Sequence, residues 1–292
     1  MSGPSTGALR VLTINAMAPE YADGPARRAN LRAELRRLAP DVVALQEVVR
    51  TDGRDEAAEL LGDGWHIAWC SVRTADGLGS ALAARWPFGR RREVDGGAPV
   101  RDGSFWYVSL LAEVEAPPPF GPLLLVHHKP VWRYGHEPER ELHAVATARA
   151  AEEMLAGTDR HAILLGDLDA APDSAAVRFL TGRQSLHGAG ACYQDAWAAL
   201  RPDDPGHTFT PHNPLVRAGD MPTGPGRRID YVMVRCSSWG PTLEVVACDR
   251  VGTDPSAPIS DHYGIVADLR VPPRPPGTFA PGFTAPRDGT SR

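Results

Sequence analysis

The sequence predicts an α+β fold, a four-layer α/β-sandwich in which two packed mixed β-sheets are flanked by helices. Short apolar, β-branched runs bounded by Gly, Pro, Asp or Ser recur along the chain and are typical of strands. Amphipathic helical patterns interrupt these runs only at wide intervals, so strands outnumber helices. Neighbouring strands such as 65–72 and 79–85 have connections too short for a helical crossover, which indicates antiparallel pairs.

The predicted strands share a core-like composition and occupy most of the chain. They are 9–15, 41–47, 65–72, 79–85, 105–115, 122–128, 161–167, 229–236, 242–248 and 264–271.

Helices are predicted in three places between these strands. The first spans 25–39, where leucines share one face and charged residues the other. The second spans 137–157, opens with proline and acidic residues, and stops at Gly157. A third begins with Asp173 or Ser174 as its N-cap and continues through AAVRFL.

Composition limits the domain organisation and the partners. Residues 1–271 are predicted to form one domain, and the Pro/Gly-rich tail 272–292 is expected to be disordered or loosely draped over it. The net charge of -5 argues against a surface that binds nucleic acid all over. The arginines at 90–92 could form a local basic stripe that binds nucleic acid, although a solvated loop after Pro87 is the favoured interpretation.

Sequence signals for other compartments and classes are missing. The first residues lack a basic segment followed by an apolar one, and no apolar stretch reaches the roughly 18 residues of a membrane helix. The cysteines lack zinc-finger spacing. We therefore expect a cytoplasmic protein without a membrane span, and the sequence indicates no obligate protein partner.

Polar side chains stand at the ends of several predicted strands, where strand propensity would not have chosen them. They are Asn15, Glu47, His127, His128, Asp167, Asp169 and Asp230, with Asp261 and His262 just before the last strand. Each alone is explained as a turn former, a cap or a solvated side chain. Together they predict a site at one edge of the sheets, because oxygen ligands suit Mg²⁺ and a phosphoryl substrate needs a base, a proton donor and charge neutralisation.

In order and spacing these residues resemble the endonuclease/exonuclease/phosphatase superfamily of metal-dependent phosphoesterases, over about residues 9–271. The motifs are LTIN (12–15), LQEV (45–48), HHKP (127–130) in place of the family's Asn-Thr-His-Leu, GDLDAAPDS (166–174), RRIDYV (227–232) and SDH (260–262). The combination of GDLDAAPDS with a downstream SDH is the most specific. The resemblance implies two packed sheets flanked by helices, with the site in a cleft at one end.

The resemblance also implies a cofactor. Glu47 would be the principal ligand of a Mg²⁺ or Mn²⁺ ion, with Asn15 beside it, and Asp261 would complete the metal or hydrogen-bonding shell. Such an ion neutralises phosphoryl oxygens, which otherwise repel an anionic nucleophile.

Catalytic roles follow from the same resemblance. Asp167 would activate the attacking water, and His262, oriented by Asp230, would face the scissile phosphate. His128 would contact a phosphate oxygen or help to protonate the leaving group.

This chain departs from the family's pattern at two positions. Asp169 stands where the family usually has Asn, and an ionised Asp cannot donate a hydrogen bond to phosphate. Asp169 is therefore protonated, binds a metal, or meets a donor on the substrate. The second departure is the His127-His128 pair; since strand side chains alternate between faces, only one can face the cleft, and His128 is expected to do so.

Substrate contacts are expected from basic and aromatic residues near these motifs. Lys129, which follows the His pair, and Arg228 are the candidates. Arg227 and Arg228 are both adjacent to the predicted site, and one of them is expected to bind phosphate or to pair with a site carboxylate. Aromatic residues at 132–134 could stack on a base or a sugar, and anchoring their loop is an equally good interpretation.

The predicted function is metal-dependent hydrolysis of a phosphate ester, either a monoester or a diester, and nucleotides or nucleic acid are among the candidate substrates. Two alternatives stay open: a catalytically inactive ligand-binding member of the same fold, and a non-hydrolytic enzyme of a specialised pathway.

Overall fold

A computed structural model of the chain describes residues 7–96, 108–158 and 160–283. In chain order the strands are β1 (Leu9–Asn15), β2 (Val42–Thr51), β3 (Arg54–Asp55), β4 (His66–Trp69), β5 (Leu78–Ala84), β6 (Phe88–Val94), β7 (Ser109–Ala116), β8 (Gly121–His127), β9 (His161–Asp167), β10 (Tyr193–Asp195), β11 (Asp230–Ser237), β12 (Gly240–Pro241), β13 (Glu244–Val251) and β14 (Gly264–Arg270). The helices are α1 (Gly24–Leu38), α2 (Glu56–Leu61), α3 (Glu137–Leu155), α4 (Ala175–Leu180), α5 (Ala196–Leu200) and α6 (Pro214–Ala218).

The strands form two 7-stranded mixed sheets. The first has the order β13-β14-β1-β2-β5-β4, with β3 paired to β2, and the second has the order β10-β11-β9-β8-β7-β6, with β12 paired to β11. The pairs β1/β2 and β8/β9 are parallel, whereas the hairpin-like neighbours such as β4/β5 and β7/β8 are antiparallel. The predicted mixed sheets are therefore confirmed.

Side chains of each central strand point alternately to the core between the sheets and to the helices outside, which gives four layers. In β1, Leu9 and Val11 belong to the core between the sheets, whereas Leu12 and Ile14 belong to the cluster beneath α1 and α2. The outer face of the second sheet packs in the same way against α3 and α4. The predicted fold class is confirmed, and the inner faces of both sheets end at a common edge.

The helix boundaries follow local capping. The Asp23 side chain accepts a hydrogen bond from the Ala26 amide at the start of α1, and the Ser174 hydroxyl does the same for Val177 in α4. Ser174, rather than Asp173, is therefore the N-cap of α4. The helices α2, α5 and α6 are too short to show a period in the sequence and were not predicted.

The segment after Pro87 is a strand, so the expectation of a solvated loop was wrong. It forms the edge strand β6, where Arg90 pairs with Glu113 at 3.0 Å and Arg92 with Glu153 at 2.5 Å. An edge strand needs a partner on one side only, and charged side chains along it oppose pairing with another chain. The charge run therefore reflects an exposed strand edge.

The C-terminal tail and the limits of the described residues complete the description. In the Pro/Gly-rich tail, Gly277 lies against the exposed ring of Trp239, which a Cβ on Gly277 would meet at 2.6 Å. Residues 284–292, and residues 105–107 of the strand predicted at 105–115, lie outside the described residues. Within the described ranges, none of the helices combines the length and apolarity needed to cross a lipid bilayer.

Candidate functional site

Polar side chains from both sheets meet where the inner faces of the sheets end. Ile163 and Leu165 of β9 belong to the central core, and Asp167 is the next residue on the same face. Asp230 of β11 pairs directly with Asp167 across the sheet. Asn15 continues the inner face of β1 in the opposite sheet, which places one polar residue from each of three strands at one end of the core.

Asn15 links the two sheets through hydrogen bonds. Its Nδ2 donates to Glu47 Oε1 at 2.9 Å and to Asp167 Oδ2 at 3.0 Å. Its Oδ1 accepts from the Met17 amide at 2.9 Å, which fixes the orientation of the side-chain amide. The Ala18 amide donates to the other oxygen of Glu47, Oε2, at 3.2 Å. Asn15 thus lies beside Glu47, as expected, and holds two carboxylates at a set separation.

Glu47 reaches the cleft because β2 is irregular at this residue. The pairing of β2 with β5 shifts between Gln46 and Val48, and Glu47 has a φ of 56°. Regular alternation would instead turn Glu47 towards α1, on the face of Leu45. A positive φ at a non-glycine residue costs on the order of 1–3 kcal/mol, and such strain concentrates at functional sites.

Lys129 lies at the centre of the cluster and is only 1% exposed. Its Nζ donates to Asp167 Oδ2 at 2.6 Å and to Asp169 Oδ2 at 2.5 Å. Burial and the charge of Asp167 raise the pKa of Asp169 to about 6, against the opposing effect of Lys129. The unusual Asp169 is therefore matched by an ammonium group within the protein, an arrangement that sequence reasoning did not consider.

The prediction that His128 faces the cleft was wrong. His128 lies on the outer face of β8, where its Nδ1 is 2.6 Å from Ser109 Oγ and 3.4 Å from Thr147 Oγ1. Its ring packs edge-on against His143 of α3, with the ring centroids 4.7 Å apart. His128 therefore belongs to the layer between the second sheet and α3.

Strand alternation gives the reason for this error. The inner positions of β8 are Leu123 and Leu125, and His127 continues them into the core, where its Nε2 lies 2.8 Å from Gln46 Nε2. The next position of the same parity is Lys129. Compared position by position with Asn-Thr-His-Leu, the motif HHKP also puts Lys129, and not His128, at the place of the family's His.

Two buried histidines, His127 at the end of β8 and His143 in α3, are expected to make the stability depend on pH. Burial lowers the pKa of His143 from 6.5 to about 4, although the Val94 carbonyl opposes this, and burial lowers that of His127 to about 3. Between pH 6.5 and 4 these histidines bind protons in the unfolded chain but stay neutral in the folded chain, so the free energy of unfolding should fall as the pH drops through this range. Each such histidine contributes roughly 1.4 kcal/mol per pH unit in that window.

Urea unfolding of the His143→Gln variant tests this expectation. Its free energy of unfolding should decrease less steeply with falling pH than that of the wild type, by about one proton per molecule. The control is His66→Gln, which replaces an exposed histidine and should keep the wild-type slope. Equal slopes for H143Q and the wild type would contradict the expectation.

Arg228, predicted as a substrate contact, does not line the cleft. Its Nη1 donates to Asp195 Oδ2 at 2.5 Å, and its guanidinium lies 4.8 Å from the centre of the Tyr231 ring. Arg228 is buried, so it ties the start of β11 to the N-cap of α5. Its neighbour Arg227 is the one that lines the cleft.

His262 lies between two carboxylates. Its Nδ1 is 3.0 Å from Asp230 Oδ2, and its Nε2 is 4.0 Å from Asp167 Oδ2. Burial alone would lower the pKa of His262, but the charges of Asp230 and Asp167 outweigh it and raise the pKa to about 10. At neutral pH the ring is therefore an imidazolium that presents a proton to the cleft.

The carboxylates of the site fit a hard cation. Among the described residues, Glu47 and Asp261 are hydrogen-bonded by neutral donors alone, and Asp230 Oδ1 is buried without a partner. Burial raises the pKa of Asp261, and the charge of Glu47 adds to it, so a divalent cation would relieve this repulsion. Atoms of Asp167, Asp230 and His262 also lie within 4.8 Å of one another, but His262 is poorly suited as a ligand because it keeps its proton.

Arg27 supports the site and was not singled out in the sequence, where it reads as part of the charged face of α1. The buried guanidinium donates to the backbone carbonyls of Ala16 and Ala18, each at 2.9 Å, and of Tyr21 at 2.7 Å. These bonds hold the loop whose Ala18 amide contacts Glu47. Nothing in the local pattern distinguishes Arg27 from the exposed arginines of the same helix, Arg36 and Arg37.

The cluster opens into a cleft of about 360 Å³. Its lining includes charged side chains, among them Glu47, Lys129, Asp169 and His262. It also includes the apolar residues Met17, Leu78, Trp132, Phe209, Leu215 and Met221. Arg227 lines the cleft as well, so a substrate would meet both charged and apolar groups.

Comparisons with known proteins agree with the family resemblance and with the fold. The model of the Endonuclease/Exonuclease/phosphatase family matches residues 12–262. D. rerio TDP2, in a crystal structure with single strand DNA product, is 19% identical with a TM-score of 0.69, and the match covers 90% of this chain and 99% of that one. The catalytic domain of human Nocturnin, with bound sulfate anion, is 18% identical with a TM-score of 0.67 and coverages of 91% and 94%. An endonuclease/exonuclease/phosphatase from Beutenbergia cavernae is 25% identical with a TM-score of 0.60, covering 91% of this chain and 72% of its own. No curated protein matches the sequence.

Proposed function

The chain belongs to the endonuclease/exonuclease/phosphatase family, and on this premise we propose that it hydrolyses phosphate esters with a divalent cation and with water as the nucleophile. One observation carries the proposal. Glu47 and His262, which are far apart in the sequence, line a single cleft. Asp167, buried next to them, accepts hydrogen bonds from Asn15 and Lys129 and lies 4.0 Å from His262 Nε2, and Asn15 also donates to Glu47. Such a set supplies the charge neutralisation and proton transfer that phosphoryl transfer requires.

Glu47 and Asp261, with the amide oxygen of Asn15, are the proposed ligands of Mg²⁺ or Mn²⁺. Their oxygen atoms suit either ion. When bound, the ion would neutralise negative charge on the phosphoryl oxygens.

Asp167 is the proposed base that orients the attacking water. Burial would raise its pKa, but the charges of Lys129 and His262 outweigh this and keep the carboxylate ionised. Its Oδ2 accepts from Lys129 and Asn15 and its Oδ1 from the Asp169 amide at 3.1 Å, so the group is held rigidly. A low pKa makes a weak base, which favours orientation of the water over complete removal of its proton.

His262 and Lys129 are the proposed electrostatic partners of the reacting phosphoryl group. The imidazolium of His262, held by Asp230, faces the cleft with an N–H donor. Lys129 brings a second positive charge to the same cleft. Charged donors fixed before the reaction stabilise the growing negative charge without reorganisation.

The proposed substrate is a small phosphate ester or the end of a longer chain. The cleft of about 360 Å³ is near the lower end of ligand pockets, which span about 300–1,000 Å³. The net charge of -5 disfavours binding along an extended polyanion. Nucleotides and nucleic-acid ends fit these limits, and the similarity to D. rerio TDP2, crystallised with a DNA product, supports them.

Hydrolysis of bis-p-nitrophenyl phosphate and p-nitrophenyl phosphate tests the proposal. The expected result is release of p-nitrophenolate that stops with EDTA and returns with excess Mg²⁺ or Mn²⁺. Activity that survives chelation would contradict the metal requirement. Metal binding by calorimetry without hydrolysis of any ester would instead favour a ligand-binding protein, and transfer of the phosphoryl group to an added alcohol would favour a non-hydrolytic enzyme.

A further inference from the structure

Arg227 lines the cleft and lies against two aromatic rings, those of Tyr134 and Phe209. Its guanidinium carbon lies 4.6 Å from the centre of the Tyr134 ring and 5.6 Å from that of Phe209. Stacking of this kind fixes the guanidinium plane while leaving its N–H groups in that plane available as donors. Tyr134 is 54% exposed, so this end of the stack is open to solvent.

The charge of Arg227 has no acidic partner among the residues that the structure describes. Its Nε is buried and makes no hydrogen bond there, and its backbone bonds only to Thr208 and Phe209. The adjacent Arg228, in contrast, is paired with Asp195. A stacked, unpaired and half-buried arginine that lines a cleft is suited to bidentate contact with an oxyanion supplied by a ligand.

Phe209 sets the distance between Arg227 and the reactive imidazole. Its ring centre is 5.1 Å from that of His262 and 5.6 Å from the guanidinium carbon of Arg227. Backbone bridges join Phe209 to both residues, which fixes the order of the three segments as His262, Phe209, Arg227. Arg227 therefore lies near His262 but one backbone segment beyond Phe209, where it would meet a different part of the substrate.

We propose that Arg227 binds a second phosphate group of the substrate, next to the ester that is cleaved, and so makes the enzyme selective for esters with two phosphates. The inference rests on the proposed function. The exposed rings of Trp132 and Tyr134 supply faces on which the body of such a substrate stacks. The substrate class is thus a nucleotide with an additional phosphate or the phosphorylated end of an oligonucleotide.

A pair of chromogenic esters tests this assignment. One is the p-nitrophenyl ester of thymidine 5′-phosphate, and the other carries an additional 3′-phosphate; both release p-nitrophenolate. We expect the wild type to prefer the doubly phosphorylated ester in kcat/KM. Arg227→Ala should reduce that preference by about 10- to 100-fold, chiefly through KM, as expected for the loss of hydrogen bonds to a charged group. Arg227→Lys should reduce it less, since the charge remains but the paired donors are lost.

Arg250 provides a matched control. Its guanidinium also lies against two rings, 5.7 Å from Trp197 and 5.5 Å from Tyr263, but it lines a separate depression on the surface. Arg250→Ala should therefore keep the wild-type preference between the two esters.

Three outcomes would overturn the assignment: no preference in the wild type, an equal decrease for both esters in R227A, or the same loss of preference in R250A. If the wild type hydrolyses neither ester, that result counts against the proposed function and does not test Arg227. Calorimetric titration with thymidine 3′,5′-bisphosphate then tests the second phosphate site separately. A Kd that R227A raises at least tenfold, and R250A does not, would support the second phosphate site. An unchanged Kd in R227A would reject it.

Discussion

Replacing Glu47 with glutamine is expected to lower kcat by about 10²- to 10³-fold and to weaken Mn²⁺ binding. The substitution removes one negative charge from the proposed metal site while keeping the size of the side chain. Asn15 and the Ala18 amide donate to different oxygens of the carboxylate, and the single amide oxygen of glutamine can keep one of these two hydrogen bonds. Folding should therefore be retained, and the defect should lie in metal binding and turnover.

Glu20→Gln is the matched control for this prediction. Glu20 lines the same cleft but is exposed and lies outside the carboxylate cluster. Titration with Mn²⁺ by calorimetry and hydrolysis of bis-p-nitrophenyl phosphate should separate the two variants. Near wild-type turnover in E47Q, or an equal loss in E20Q, would contradict the role proposed for Glu47.

Replacing His262 with glutamine is expected to lower kcat by about 10²- to 10⁴-fold, the range for removal of a proton donor or of a charge at the reacting group. The variant loses the imidazolium between Asp230 and Asp167. Alanine would also leave Asp230 buried without its hydrogen-bond partner, which destabilises the fold. Glutamine can still donate to that carboxylate, so it separates catalysis from stability.

His128→Gln distinguishes the cleft from the outer face of β8. His128 lies between the second sheet and α3, so this variant should retain most of the turnover under conditions where it stays folded. Circular dichroism checks the folding of both variants at the assay temperature. A large loss of kcat in folded H128Q, or wild-type kcat in H262Q, would reverse the assignment of the two histidines.

Local patterns predicted the fold and much of the site. Because successive strand side chains alternate between faces, apolar runs of the right length identify strands without any tertiary information. Polar residues at the ends of such runs, such as Asn15, Asp167 and Asp230, were found for the same reason. The structure places these three at one end of the central core.

The same patterns failed where the answer depended on which face is inner. The choice between His127 and His128 requires knowing that Leu123 and Leu125 face the first sheet, and the sequence of β8 is apolar on both faces. The choice between Arg227 and Arg228 likewise depends on Asp195, a residue distant in the sequence that pairs with Arg228.

The sequence by itself determined the longer strands other than β6, the two long helices and the polar residues that end the strands, because these depend on periods of a few residues. Only the tertiary structure decided which of those residues share the cleft. The bulge that turns Glu47 inwards, the ammonium of Lys129 opposite Asp169, and the rings around Arg227 each depend on packing between distant segments. A local period cannot specify contacts of that kind, since it fixes the spacing of side chains along a strand but not what lies across from them.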